Sequence, residues 1–179
     1  YCIFYNCKLY KEDIEAALRT KDFGGFELLS LSDYTGQSTA TVGILDVFYE
    51  SKGLISHDEF KNFAGEAVPL FKAKRIFKNT DTLEAELDLY DFGEKKINNP
   101  VYNLTVQNGK QVFYKTSTTE SKVSIPLNSI TKSTMLSVIL EVNGYKNTWR
   151  IFVFAENKIE NNVSMIKSEE ELDDIIKNG

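Results

Sequence analysis

Two Asn-Gly dipeptides constrain this chain's fold more than any other feature. Asn108-Gly109 lies between the runs Val101–Gln107 and Lys110–Thr116, and Asn143-Gly144 lies between Thr134–Val142 and Tyr145–Ala155. Both runs in each pair are rich in β-branched and aromatic residues. A two-residue hairpin loop needs positive φ, which Asn and Gly tolerate best, so each dipeptide predicts a β-hairpin. Upstream, Thr82–Phe92 alternates strictly. Leu83, Ala85, Leu87 and Leu89 fall on one face, and Glu84, Glu86, Asp88 and Tyr90 fall on the other. That is the pattern of a strand packed on one side and wet on the other.

Adding Phe71–Lys78 and Lys122–Leu127 gives seven short strands with regular turns. Over residues 69–157 this predicts an immunoglobulin-like β-sandwich, with Leu136, Val138, Leu140, Val142, Trp149, Ile151 and Val153 in its core. No cysteine pair flanks Trp149, so the antibody type is excluded.

The first 68 residues follow a different period. Lys8–Arg19 places Leu9, Ile14, Ala17 and Leu18 at helical spacing, with Glu12, Asp13 and Glu15 between them. Phe26–Leu31 is a short apolar run of the kind buried in parallel sheets. A polar loop follows, and Ala40–Ser51 predicts a second helix. Ser56, with Glu59 three residues on, predicts a capped helix over Ser56–Phe63. Helix, strand, loop and helix make an α/β segment too small to close a sheet alone. After Glu156 a polar linker leads into a strand–helix pattern, so residues 158–179 read as the start of a further domain. Neither end has the pattern of a natural terminus, and the whole reads as part of a longer protein.

The net charge is −5, and the Lys and Arg residues are scattered apart from Lys72-Ala-Lys-Arg75, which argues against a nucleic-acid partner. No apolar run has the length of a membrane span. His57 is the only histidine and opens a helix, so no His-based triad or Cys/His metal site is expected, and no cofactor motif occurs. Cys2 and Cys7 are expected to be free thiols. The carboxylates Glu84, Glu86 and Asp88 lie on the solvent face of their strand. The segment with chemical promise is Asp33-Tyr-Thr-Gly-Gln-Ser-Thr39. It follows a buried-type strand and precedes a helix, the place where ligands sit in parallel α/β folds. Asp33, Gln37 and Thr39 are its candidate binding groups for sugar hydroxyls. The competing expectation is a self-satisfied loop in which Asp33 or Thr39 caps the next helix.

Three stretches carry a family resemblance: Tyr10-Lys-Glu-Asp-Ile-Glu-Ala-Ala-Leu-Arg-Thr20, Gly25–Asp46 and Ser51-Lys-Gly-Leu-Ile55. They resemble β-galactosidase-like members of glycoside hydrolase family 2, of the Bacteroidetes type. The likeness is strongest over residues 9 to 70. Asp33, Gly36, Gln37 and Thr39 match the family pattern, which has an aspartate at Ser30 and a glycine at Ser38.

The resemblance implies that residues 1–68 are the last helix–strand–helix of a catalytic (β/α)8 barrel, with the sandwich following it. It implies a retaining mechanism by two glutamates about 5 Å apart, both outside this chain, so no catalytic residue is expected here. A periplasmic or extracellular parent is implied as well. The expected partners are a carbohydrate substrate, the parent's other domains, and a second copy meeting the incomplete barrel end. The alternative expectations are a carbohydrate-binding sandwich, with Tyr90, Tyr102, Phe113, Tyr114 and Tyr145 as candidate aromatics, and a structural spacer.

Overall fold

The computed structural model describes residues 2–37 and 41–156, together with residues 168 and 177. Apart from residues 168 and 177, the expected linker, strand and helix over 158–179 lie outside the described residues, as do Ser38 and Thr39. Two sheets face one another as a β-sandwich. The first has three strands, ordered β1 (Ala67–Lys72), β3 (Thr82–Asp91), β6 (Lys122–Pro126). The second has five, ordered β2 (Ile76–Lys78), β8 (Tyr145–Phe154), β7 (Thr134–Val142), β4 (Tyr102–Asn108), β5 (Gln111–Thr118). All pairs are antiparallel except β2 with β8.

The alternation read in the sequence is the alternation of burial. Leu83, Ala85 and Leu87 point inward and Glu84, Glu86 and Asp88 outward. All seven expected core residues of β7 and β8 are buried. Phe71 from the first sheet meets Trp149 from the second, ring centres 5.4 Å apart. Val142 pairs Tyr145 across Asn143-Gly144, and both turn residues have positive φ, so this is the expected hairpin turn. In the other hairpin Asn108 pairs Gln111, and the loop is Gly109-Lys110, one residue later than expected. The same hairpin carries a bulge: Val106 pairs Tyr114 and Gln107 pairs Val112, leaving Phe113 as the extra residue.

The run expected as one strand, Phe71–Lys78, is divided between β1 and β2. The chain changes sheets there, and Ala73-Lys-Arg75 makes the crossing. Pro69 lies inside β1, which its position permits: β1 is an edge strand, with a partner on one side only.

Helix α1 spans Cys2–Leu18, starting well before the expected Lys8, so Glu12, Asp13 and Glu15 lie in its second half. Helix α2 spans His57–Ala64 with the expected capping box of Ser56 and Glu59. Ile14 and Leu18 of α1, Phe63 of α2, and Val68 and Leu70 of β1 form a second core. Among the described residues no helix is long and apolar enough to cross a membrane.

The α/β segment between the helices takes another form. Phe26–Leu31 is not a strand, and its Leu29 is 93% exposed. An apolar run becomes a sheet strand only where neighbouring strands satisfy its backbone, and among the described residues no strand pairs with it. The segment is joined instead by single bridges, Ser32 with Leu45 and Leu45 with Ser51. Nor is the described part of Ala40–Ser51 a helix. The carboxylate of Asp46 accepts from the N–H groups of Phe48 (2.8 Å) and Glu50 (2.9 Å), a local bond that competes with helical bonding. Tyr49 then has φ +65°.

Candidate functional site

Of the expected binding residues, Asp33 is the best defined. One of its carboxylate oxygens accepts from Gly43 N–H at 2.9 Å, and both accept from the Lys52 ammonium at 2.9 Å. Lys52 also donates to the carbonyls of Thr41 (3.2 Å) and Gly43 (2.9 Å). Gly43 permits this closure because a Cβ there would come within 2.3 Å of the Ser32 carbonyl carbon. The Lys52 bond holds the Asp33 carboxyl below the usual carboxylate range. Asp33 therefore clasps its own loop and, here, has little capacity left for a ligand. Gln37 closes a 3-10 turn over Thr35–Gln37. Thr39 lies outside the described residues. Asp33 borders neither of the clefts described next.

The densest polar chemistry lies elsewhere, in the seam between α1 and β8. Glu15 is fully buried. Its carboxylate accepts from Trp149 Nε1–H at 2.7 Å, Asn147 Nδ2–H at 2.9 Å and an Arg19 guanidinium N–H at 3.1 Å, and from the Lys11 ammonium. Lys11 also donates to Asn147 Oδ1 at 2.6 Å, and Asn147 donates to the Pro69 carbonyl at 3.0 Å. The Lys11 ammonium stands 4.8 Å from the centre of the Trp149 ring. Burial pulls the Lys11 pKa down, against the opposing pull of Glu15. A carboxylate taken wholly out of water is tolerated because all its lone pairs find donors.

Two clefts border this network. One, of ≈ 220 Å³, lies among α1, α2 and β8, with Cys7, Glu59 and Phe63 in its walls. The other, of ≈ 400 Å³, runs along β8 past Thr148, Arg150 and Phe152, walled by Lys8 and Glu12 of α1 and by Arg75. Arg75 meets Glu12 at 3.3 Å. Cys7 is free and buried, as expected, and burial raises its thiol pKa. His57 is exposed at the start of α2. Among the described residues no group of three or more His, Cys, Asp and Glu side chains is arranged to hold a metal.

The sequence gives no notice that Glu15 is buried, because it reads as one of three acids among apolar positions. The usable signal is the stripe Lys11, Glu15, Arg19, in which cations stand four residues either side of one acid on one helix face. The aromatics proposed for a sugar platform are not in a row: Tyr102 is buried, and Tyr90, Phe113, Tyr114 and Tyr145 are half-buried.

A family model described as "Domain of unknown function (DUF8488)" matches residues 81–155, the stretch from the turn before β3 to the end of β8. No curated protein matches the chain.

Proposed function

We propose that this chain is a non-catalytic flank of a retaining glycoside hydrolase acting on β-galactoside-like bonds. In this reading the two helices carry the edge of a catalytic barrel, and the sandwich is an immunoglobulin-like accessory domain. The observation that carries it is where apolar surface is left uncovered. Phe23, Phe26, Leu29, Leu31, Tyr34, Val42, Phe48 and Tyr49 are all exposed, within one segment between α1 and α2. A patch of that density marks a surface made to be covered, and the resemblance over residues 9 to 70 supplies the body that covers it. The strand order supports the immunoglobulin-like assignment. β3 and β7 are internal strands of opposing sheets, and the chain crosses between sheets from β3 to β4, from β5 to β6 and from β6 to β7.

The catalytic glutamates belong to the covering body. The loop at Asp33–Thr39 would line its sugar pocket, with Asp33 released from Lys52 or acting through it. A periplasmic or extracellular setting follows from the resemblance alone. A carbohydrate-binding sandwich is the weaker alternative, since no exposed aromatic row supports it. For the sandwich a spacer role fits better.

Leu29→Glu tests the covered face. In the full-length gene product it is expected to lower both melting temperature and glycoside hydrolysis, while this chain alone melts as the unsubstituted chain does. An unchanged full-length protein would show that nothing covers Leu29.

A further inference from the structure

The ≈ 400 Å³ groove along β8 has a charge excess that its own residues do not use. Lys11 is committed to Glu15 and Asn147. Arg75 uses one terminal nitrogen on Glu12, at 3.3 and 3.4 Å, while its Nη1 is buried with no acceptor. Arg150 is exposed in the same groove and has no ion pair among the described residues. Alternation along β8 puts Thr148, Arg150 and Phe152 on the outer side of the strand, so a hydroxyl, a guanidinium and an exposed ring follow one another.

We propose that this groove binds a sugar ring bearing a tetrahedral oxyanion ester, a sulfate or a phosphate. Donors reach the groove from separate elements, Arg150 on β8 and Arg75 on the β1–β2 crossing. Such divergent directions suit an anion with three terminal oxygens better than a planar carboxylate. The unmatched Arg75 donor would gain an acceptor if its guanidinium turned toward the bound anion. Phe152 offers its apolar face to the C–H side of the ring, and Thr148 a hydrogen bond to a hydroxyl. This site is independent of the hydrolase reading and stands or falls without it.

Trp149 borders the groove and is the chain's only tryptophan, so its fluorescence reports occupancy. The test titrates the whole chain with galactose 6-sulfate and galactose 6-phosphate, following fluorescence and, in parallel, calorimetric heat. Saturable binding of either ester is expected, and the tighter one names the source. It should weaken with added salt and weaken about tenfold in Arg150→Ala, with the variant's melting temperature unchanged. The proposal is overturned if neither ester binds by either readout. It is overturned equally if galactose or inorganic sulfate binds as tightly as the esters, or if Arg150→Ala binds as well as the unsubstituted chain.

Discussion

Glu15 decides how α1 sits on the sandwich. Four donors, from α1, the residue after it and β8, converge on one carboxylate, and the two bonds from Trp149 and Asn147 reach across more than a hundred residues of chain. A buried ion network is poor evidence of net stabilisation over an apolar replacement, but removing one member is costly. Glu15→Ala leaves the Lys11 ammonium half-buried beside a ring, with its main counter-charge gone. The expected loss is about 3–5 kcal/mol, read as a lower urea midpoint. A loss below about 1 kcal/mol would mean that water enters the seam and the helix is only loosely held. The stripe Lys11, Glu15, Arg19 was legible in the sequence, but the burial of Glu15 was not, for a physical reason. Periodicity reports which helix face is apolar, and Glu15 is buried on the strength of partners over 130 positions away that no local pattern predicts. Asp33 is the converse case. It was picked as a ligand group for its chemistry and position, and that same chemistry is spent on Lys52 and Gly43.

Among the elements, those with a local signal in the sequence were legible and those set by a particular tertiary partner were not. β3, β7 and β8 carry alternation and a two-residue turn, both local signals, and their predicted bounds hold to within a residue. The bulge at Phe113 was not legible, since it depends on how β4 and β5 meet. Phe26–Leu31 has strand composition but no strand beside it, and Ala40–Ser51 has apolar spacing that the Asp46 turn overrides.

Three connections in this chain are pinned by carboxylates held below their ordinary pKa values: Asp33 by Lys52 and the Gly43 N–H, Glu59 by the Ser56 backbone N–H, and Asp91 by the Ile97 and Gly93 N–H groups. A carboxyl whose pKa is lower folded than unfolded adds stability that is present in full above its unfolded pKa. That stability is lost as pH falls through the folded value. With ordinary values of 4.5 for Glu59 and 3.8 for Asp33 and Asp91, the loss should begin below about pH 4.5 and continue to lower pH. Urea midpoints across that range should fall, and Asp91→Asn should make the fall shallower. A flat profile would contradict the role given to these bonds.

For the whole molecule, the two helices and the sandwich share continuous packing through β1, which gives Phe71 to the sandwich core and Val68 and Leu70 to the helical one. One strand thus serves two cores, and the helices are fixed relative to the sheets. Eight exposed large apolar side chains fall in the segment between the helices, from Phe23 to Tyr49. A rigid sandwich joined to a surface that needs covering suits a flank that braces a larger body. The account's central claim is that the chemistry resides in that body. The direct measurement is hydrolysis of a panel of nitrophenyl glycosides by this chain and by the full-length gene product, side by side. The account predicts no turnover by the chain and cleavage of a β-galactoside-type substrate by the full-length protein. Turnover by the chain alone, or none by the full-length protein on any member of the panel, would contradict it.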